Sequence, residues 1–380
     1  MITVLIATGV MNAGGAETLI MELLRKKQAH MRYVLLIHHS GPVAEGVYDA
    51  EIRALGVPMY YIPAVGAVGM RRYTKLFRER VLEIGGVDIL HSHLNAIGGI
   101  IARAAEKAGI RRRIIHCHAD ITYTGSRRSI AVSELKLRYL KRYVRRFGTD
   151  FWACSEAAGR RLFDSSPAVV IPNVIDVPRY LGSPDKTAAA KRRLGLTQEL
   201  ILGAVGRIAP IKNYELALET LAVLRKQGVD AAFVCYGRVA NEDYYRRLCG
   251  LTEERKLSEY VHFPGNSEKI SEDMAAFDVF LMPSKSEGFG MAAIEAQAAG
   301  IPAAVSTGVP EIVDVGLGTI RFLPPDPEQW AQAISELRQA VPPDRERILA
   351  AFRQHGFDAA CAVQDIEKRY REICPRQEEG

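Results

Sequence analysis

The sequence lacks the features that mark membrane-spanning and disulfide-rich proteins. No run of about 18 uncharged apolar residues occurs in its 380 residues, so we expect no membrane span. Its six cysteines are scattered and form no C-x-x-C pair, which predicts reduced thiols. The apolar opening "MITVLIATG" carries no basic leader. It therefore predicts a strand rather than a signal peptide, and a cytoplasmic location.

Patterns that recognise nucleic acids are also missing. The sequence contains no zinc-finger spacing, RNA-recognition motif or helix-turn-helix pattern, so we expect no nucleic-acid partner. The net charge is nevertheless +6, and basic residues are dense at 71–80, 109–114 and 136–147, all in the first half. Such clusters favour a phosphate-bearing or membrane-surface partner.

Short apolar runs alternate with amphipathic stretches along most of the chain. This alternation is typical of parallel sheets that helices cover on both faces. It pauses in the strand-free segment 174–199, which we interpret as a linker, and restarts at residue 200. The sequence thus predicts an α/β protein of two doubly wound, Rossmann-like domains, with a helical tail over 326–375. Ligands of such domains bind beyond the carboxyl ends of the strands, so we expect a cleft there.

The stretch "SEGFGMAAIEAQAAGIP", residues 286–302, combines two carboxylates with a glycine-flanked helix start. Glu287 precedes the predicted helix and Glu295 lies inside it, while Gly288 and Gly290 allow a ligand to approach the backbone. Eight helical positions span about 12 Å, roughly the length of a ribose–diphosphate–sugar unit. The alternative is that Glu287 caps the helix and Glu295 is a solvated helix residue.

Two further loops follow predicted strands. Arg207 and Lys212 lie in "VGRIAPIKN", where a pair of cations would suit a diphosphate, although either could be ordinary surface charge. Gly14 and Gly15 open a predicted helix and could turn their amides toward an anion. The dinucleotide pattern G-x-G-x-x-G is absent from this loop, and no acidic residue ends the second strand, so NAD binding is disfavoured.

Four histidines alternate on two neighbouring predicted strands. His91 and His93 share one face of the fourth strand, and His116 and His118 share one face of the fifth. With Asp120 they could form a metal-dependent hydrolase site. The alternative is that some of them simply pack. A sugar-binding protein with two hinged α/β domains is a further candidate, which the two cationic loops disfavour.

The order of these segments resembles family 4 of the retaining glycosyltransferases, which have the GT-B fold. The resemblance extends over nearly the whole chain and is carried by "EGFGMAAIEAQAAGIP", "VGRIAPIKN", "GGAE", "HSH…HCH" and "VIPNVID". Its first half is similar to bacterial exopolysaccharide and capsule glycosyltransferases. The resemblance implies an acceptor-side domain over 1–175, joined by a C-terminal helix at about 355–375. It also implies a nucleotide-sugar-binding domain over 176–354.

The resemblance also implies roles for single residues. Glu287, His118 and Asp120 would lie beside the reacting sugar. Arg207 and Lys212 would hold the diphosphate, and Glu295 the ribose. The remaining donor contacts would come from Gly14, Gly15, Arg238, Phe263, Phe289, Gly290 and Met291. The stretch "CYGR" at 235–238 departs from the Gly-x-Gly of many members, which leaves the base contacts near Arg238 less certain.

The implied reaction transfers a sugar from a nucleotide-diphosphate donor to a glycan or lipid-linked acceptor in cell-surface polysaccharide synthesis. A UDP-sugar is our favoured donor. No D-x-D motif occurs, and the resemblance implies neither a metal ion nor another cofactor. A nucleotide-sugar epimerase of the same fold and the metal-dependent hydrolase remain as alternatives.

The basic segment 134–147 predicts an amphipathic helix. Its apolar positions Leu137, Leu140, Val144 and Phe147 recur at helical spacing, and Lys or Arg residues fill the other faces. We expect either a helix that packs this stripe on the first domain or one that docks on an anionic membrane. Both can hold together, because the cations can face lipid while the stripe packs. The enzyme would then work at the inner face of the cell membrane.

Overall fold

The computed structural model describes residues 1–12, 14–118 and 126–374. Within these ranges the chain contains thirteen strands, all paired in parallel. Seven precede residue 175: β1 (Ile2–Thr8), β2 (Met31–His39), β3 (Met59–Pro63), β4 (Ile89–Ser92), β5 (Arg112–Cys117), β6 (Asp150–Ala153) and β7 (Val169–Val170). Six follow: β8 (Leu200–Val205), β9 (Ala231–Tyr236), β10 (Val261–Gly265), β11 (Val279–Met282), β12 (Ala303–Ser306) and β13 (Ile320–Leu323).

Helices connect nearly all of these strands. They are α1 (Gly15–Arg25), α2 (Asp49–Ala54), α3 (Val65–Val68), α4 (Met70–Ile84), α5 (Gly98–Lys107), α6 (Arg127–Phe147), α7 (Glu156–Phe163), α8 (Val177–Tyr180), α9 (Pro184–Leu194), α10 (Tyr214–Lys226), α11 (Glu242–Glu254), α12 (Ile270–Asp273), α13 (Met291–Ala298), α14 (Pro327–Leu337), α15 (Arg345–Gln354) and α16 (Ala359–Ile373). Among the described residues, no helix is both long and apolar enough to cross a membrane.

The chain divides into two units. The first comprises Met1–Ile175 and the segment that begins with α16 at Ala359, and the second comprises Asp176–Asp358. The strand order is β3-β2-β1-β4-β5-β6-β7 in the first unit and β10-β9-β8-β11-β12-β13 in the second. Each order reverses direction once, so both sheets are doubly wound. The predicted fold class is therefore confirmed.

The first sheet is buried on both faces. Every residue of β1 is buried, and the same holds for the four residues of β4. One face packs against α4, α5, α6 and α7, the other against α1, α2 and α16. Full burial of one Val, Leu or Ile side chain contributes about 1.5–3 kcal/mol, so these near-continuous apolar strands favour a sheet covered on both sides.

The segment 174–199, interpreted as a linker, contains the division between the two units and no named strand, but the sequence interpretation missed its two helices. It forms α8 and α9, and Lys191 of α9 pairs with Asp278 at 2.8 Å. The local signals are strong: the Ser183 hydroxyl caps α9, Pro184 and Asp185 lie in its first turn, and Gly195 ends it in the left-handed conformation. The sequence interpretation noted only that the segment has no strand pattern, and it missed the capping residues of α9.

The helix α16 returns to the first unit. Val363, Ile366 and Tyr370 are buried in its hydrophobic core, and the Tyr370 ring stacks on Trp152 at 5.6 Å between centroids. The resemblance had placed the end of the second domain at residue 354, and the division falls at Asp358, four residues later. A helix from the C-terminal part of the chain therefore packs beside the carboxyl ends of β4 and β5.

Candidate active site

The second unit forms its polar site where its strand order reverses. The strands β8 and β11 pair in parallel at the centre of the sheet, and their following connections lead in opposite directions. A crevice forms at such a reversal, outside the carboxyl ends of the strands. The loop after β8 carries Arg207 and Lys212, and the loop after β11 carries Glu287.

Close backbone packing shapes the first of these loops. Gly206 (φ 159°) and Gly237 (φ 151°) follow β8 and β9, and a Cβ at Gly237 would lie 2.0 Å from the carbonyl oxygen of Gly206. Only glycine fits there. Arg207 and Arg238 come directly after these two glycines, and both side chains are exposed. The strand ends therefore present two cations to solvent.

Lys212 and Glu287 form an ion pair across the reversal point. The Lys212 Nζ lies 2.5 Å from the Glu287 Oε1, and the two side chains are only 16% and 14% exposed. The Ser284 hydroxyl donates to the same carboxylate oxygen at 2.5 Å. The amide of Glu287 donates to the carbonyl of Gly308 at 3.0 Å, which anchors the loop. The structure thus brings together two of the predicted site residues that are 75 positions apart.

The helix α13 begins directly beyond this pair. Its N-terminal cap is Gly290 at φ 91°, where a Cβ would meet the Val313 and Val309 side chains at 3.0 and 3.1 Å. Phe289 is buried and packs edge-on against Phe357, with ring centroids 5.8 Å apart. The aromatic contact and the glycine fix the path of the chain into Met291. The amide of Ala293 donates to the Gly290 carbonyl at 3.0 Å. The amides of Met291 and Ala292 precede it in the first turn, where an α-helix leaves amides available to an anion.

Glu295 occupies the fifth position of α13 and is half-buried. Burial raises the pKa of its carboxyl to about 7, although a hydrogen bond from Tyr180 and the charge of Arg179 act in the opposite direction. Tyr180 is the last residue of α8, in the segment taken for a linker. A carboxyl group with this pKa changes its charge at physiological pH, which a solvated helix residue would not do.

Phe263 differs from the other predicted donor contacts in its surroundings. It lies on β10 and packs edge-on against Phe233 and Tyr245, with ring centroids 6.5 and 5.5 Å apart. These contacts place its ring in the hydrophobic layer under α11. The packing role of Phe263 is therefore evident, whereas its contact with a base stays a prediction.

In the first unit, Gly14 and Gly15 begin α1 after β1. Gly14 is the N-terminal cap, with extended backbone and no side-chain cap, and a Cβ there would lie 2.4 Å from the Glu17 Oε2. Burial raises the pKa of the Glu17 carboxyl, against a hydrogen bond within its own residue. The glycine therefore leaves room for the Glu17 carboxylate at the start of the helix.

The four histidines form one stacked cluster at the carboxyl edge of β4 and β5. His91 and His116 stack with ring centroids 5.3 Å apart, and His93 and His118 stack at 4.8 Å. The first pair is fully buried, His93 is 5% exposed, and His118 is half-buried. The predicted shared face is thus present. Asp120 lies outside the described residues.

His118 is held at three points. Its amide donates to the Asn95 Oδ1 at 2.8 Å, its Nε2 lies 2.8 Å from the His93 Nδ1, and its Nδ1 lies 3.4 Å from the Asn173 Oδ1. An amide oxygen only accepts, so this arrangement assigns the proton of His118 to Nδ1. The Nε2 then accepts from the His93 Nδ1. The long bond to Asn173 leaves the Nδ1–H group as the easiest one for a substrate to engage.

Burial makes these imidazoles neutral. It lowers the pKa of His118 to about 4, against a hydrogen bond to Asn173 that raises it. The pKa values of His91, His93 and His116 lie well below their usual range, first because of burial and then because of the neighbouring histidines. The cluster can therefore offer hydrogen bonds at neutral pH, but no positive charge.

Tyr370 joins the cluster from α16. Its hydroxyl lies 2.6 Å from the His91 Nδ1, and the His91 Nε2 lies 3.1 Å from the His116 Nδ1. A chain of hydrogen bonds thus runs from the C-terminal helix to the ring that stacks beside His118, with 3.9 Å between the centroids of His116 and His118. Tyr370 contacts the cluster through His91, so the geometry makes it a candidate positioning residue.

The cluster fits a metal ion only in part. One nitrogen from each of His91, His93 and His116 lies within 4.8 Å of the others. Both nitrogens of His91 already have partners, however, and so does one nitrogen of each of His93 and His116. In the described part of the chain, the Nε2 atoms of His93 and His116 are the imidazole nitrogens of the cluster left without a partner. Zinc sites use three or four ligands.

Comparisons with known proteins agree with this geometry. The sequence model of Glycosyltransferase Family 4 matches residues 13–179, and the model of Glycosyl transferases group 1 matches residues 186–353. The chain is 33% identical over 362 residues to the putative glycosyltransferase EpsF of Bacillus subtilis, which covers 92% of this chain and 91% of that protein. This chain belongs to glycosyltransferase family 4. It is a glycosyltransferase, and this membership favours glycosyl transfer over the epimerase and hydrolase alternatives.

Relatives and solved structures extend the comparison. A D-inositol 3-phosphate glycosyltransferase of Corynebacterium jeikeium is 31% identical over 225 residues, 56% of this chain and 53% of that one. Anabaena HepE, solved with UDP, superimposes with a TM-score of 0.79 at 19% identity, over 98% of this chain and all of that chain. A Rickettsia africae glycosyltransferase gives a TM-score of 0.77 at 16% identity, over 99% of both chains. These structures confirm the GT-B fold of the family 4 enzyme.

Four residues that contact the predicted site residues or the histidine cluster escaped the sequence interpretation. Asn95 comes two residues after "HSH", and Asn173 lies in "VIPNVID", so an amide near each strand end was a signal that could have been used. Tyr180 and Tyr370 gave no local signal, because each reaches its partner from a distant segment.

Proposed function

We propose that the chain transfers a sugar, with retention at the anomeric carbon and without a metal ion, from a UDP-sugar to a glycan or lipid-linked acceptor of cell-surface polysaccharide. The observation that carries this proposal is the Lys212–Glu287 pair beside the N-terminus of α13, at the strand reversal of the second unit. HepE was solved with UDP and with UDP-glucose, and the match to the putative glycosyltransferase EpsF covers 92% of this chain.

The cations would stabilise the leaving diphosphate. The bond between the anomeric carbon and the β-phosphate oxygen breaks, and the acceptor oxygen forms its bond on the same face of the sugar. The acceptor proton passes to the departing phosphate, so the products are UDP and the glycoside. Arg207, Lys212 and the α13 amides supply the charge that a metal ion would otherwise provide, and each such group can contribute a few kcal/mol.

The carboxylates and the imidazole would position hydroxyl groups. Glu287, held by Lys212 and Ser284, would accept from the donor sugar, and Glu295 would accept from the ribose in its ionised form. His118 would donate from Nδ1 to a sugar hydroxyl as a neutral ring. The base would rest near the exposed Arg238, and Gly15 would bring its amide to the donor.

Binding and turnover measurements test this proposal. We expect calorimetry to show tighter binding of UDP than of GDP, and mass spectrometry with a panel of UDP- and GDP-sugars to show UDP release. Activity should persist in EDTA. Complete loss in EDTA, restored by one divalent ion, would instead support a metal role for the histidine cluster. Equal binding of GDP would contradict the assigned base.

A further inference from the structure

A cationic pocket lies between α6 and α7 on the first unit. Its volume is about 380 Å³. Its lining combines five cations, two carboxylates and one leucine: Arg138, Lys141, Arg142, Arg145, Arg161, Glu134, Asp164 and Leu137. The excess of positive charge indicates an anionic ligand.

Ion pairs hold part of this pocket in place. Asp164 accepts from Lys141 at 2.7 Å and from Arg145 at 3.1 Å, and Arg161 pairs with Glu134. Asp164 itself ends α7 with φ at 57°, which directs its carboxylate from a fixed turn. Within residues 126–374 and the other described ranges, Arg138 and Arg142 have no carboxylate partner. The paired cations give the pocket its shape, and these two arginines remain available to a ligand.

An exposed apolar stripe lies on α6 beside the pocket. Val132, Leu135 and Tyr139 are 64%, 69% and 46% exposed and lie three and four positions apart, on one face of the helix. Leu137, Leu140 and Val144 are buried in the core on the other side of α6. Three residues of the packing stripe expected from the sequence are therefore in the core, and the fourth, Phe147, packs partly buried against it. The exposed stripe is a second one, and the packing of the helix does not explain it.

The charges and the stripe together decide which anion fits. Arg142 lies seven positions after Leu135, so it shares the face of the exposed apolar residues. A soluble phosphate would use the cations but leave the stripe in water. An anionic lipid uses both, because its phosphate can enter the pocket while Val132, Leu135 and Tyr139 lie at the headgroup boundary.

We propose that this pocket binds the headgroup phosphate of an anionic membrane lipid. Lipid binding is inferred from the pocket and the stripe. Only its use, to bring the enzyme to a lipid-linked acceptor, rests on the proposed function. The helix α6 follows β5 in the chain and begins at Arg127, so Val132 and Leu135 lie in the half of α6 nearer the carboxyl edge of the sheet. Docking there would hold the membrane near the histidine cluster.

Vesicle sedimentation of the full chain provides the test. Vesicles that contain phosphatidylglycerol should bind the protein, vesicles of phosphatidylcholine alone should not, and salt should weaken the binding. The Arg138→Glu/Arg142→Glu variant should lose at least tenfold in partition coefficient. The matched control is Arg246→Glu/Arg247→Glu on α11, which makes the same charge change on exposed residues outside the basic clusters of the first half.

A second pair of variants separates lipid from soluble phosphate. Val132→Ser/Leu135→Ser keeps every charge and should weaken vesicle binding severalfold, whereas Leu82→Ser, on the 78%-exposed Leu82 of α4, should not. Millimolar inorganic phosphate should compete only weakly. Equal loss in both charge variants, or full displacement by inorganic phosphate with no effect of the serine variants, overturns the proposal. UDP affinity, measured in parallel, should stay unchanged, so a failure here is distinct from a failure of the donor assignment.

Discussion

Each unit has a polar site at one edge of its parallel sheet. The site of the first unit is made of neutral groups, and that of the second unit is made of charged groups. The first unit places four neutral imidazoles there, two of them fully buried. The second places an ion pair, two exposed arginines and a helix N-terminus. Burial suppresses charge in one unit, while pairing preserves it in the other. The second unit is therefore suited to phosphates and the first to hydroxyl groups.

Removal of the cation should have the largest effect. Lys212→Met should weaken UDP binding at least a hundredfold, a loss of about 2.7 kcal/mol or more, but should leave uridine binding nearly unchanged. Calorimetry with both ligands measures the difference. Because the change also removes the cation that pairs with Glu287, the double variant Lys212→Met/Glu287→Gln is the control for the unpaired negative charge. Parallel losses for UDP and uridine would place Lys212 outside the phosphate site.

Substitution of the two carboxylates should separate turnover from donor binding. Glu287→Gln should lower kcat about a hundredfold, since the group would contact the reacting sugar, whereas Glu295→Gln should chiefly raise the donor KM. Steady-state kinetics with the donor identified by the screen measures both constants. Near wild-type constants for both variants would contradict the roles of these glutamates.

The pH dependence should come from the second unit alone. Burial raises the pKa of Glu295 to about 7, so donor binding should weaken severalfold as pH falls from 8 to 6, because the protonated carboxyl accepts ribose hydroxyls poorly. His118, with its pKa near 4, should contribute no change over that range. Calorimetry across this range, with Glu295→Gln and His118→Asn, measures the profile. Persistence of the slope in Glu295→Gln would assign it elsewhere.

Ionisation of the Glu295 carboxyl should favour donor binding but lower the stability of the fold. A carboxyl whose pKa is raised by folding costs stability once pH rises from its unfolded value of about 4.5 through 7. Glu295→Gln should therefore stabilise the protein by about 1 kcal/mol at pH 8, a value reduced for the partial exposure of the group, and have little effect at pH 4.5. Denaturant unfolding at both pH values tests this. An equal gain in the free energy of unfolding at pH 8 and pH 4.5 would show that ionisation of Glu295 does not cause it.

Loss of the Tyr370 hydroxyl should have the smallest effect. Tyr370→Phe keeps the ring on Trp152 but removes the bond to His91, which should cost about 1 kcal/mol of stability. A positioning role also predicts a moderate fall in kcat with unchanged UDP affinity. Arg371→Ala on the exposed side of α16 is the matched control. If both variants keep full activity, α16 contributes only packing.

Local sequence determined most of the elements but only part of the site. The strands were predictable because each is a short apolar run, and α13 because Gly290 precedes a helical stretch. The helix α9 was missed although Ser183 and Gly195 mark its ends. The roles of Glu287, Glu295 and His118 stay predictions, and the pKa of Glu295 depends on a tyrosine in a segment that gave no such sign.

By itself, the sequence determined the alternation of strands and helices, the doubly wound fold of both units and the loops in which Lys212, Glu287 and the histidines lie. These follow from hydrophobic periodicity and turn residues, which act over a few positions. The tertiary structure alone decided that Lys212 meets Glu287 across 75 residues and that Tyr370 meets His91 across 279. Parallel strands pair through long crossovers, so which loops become neighbours is set by strand order and not by any local pattern.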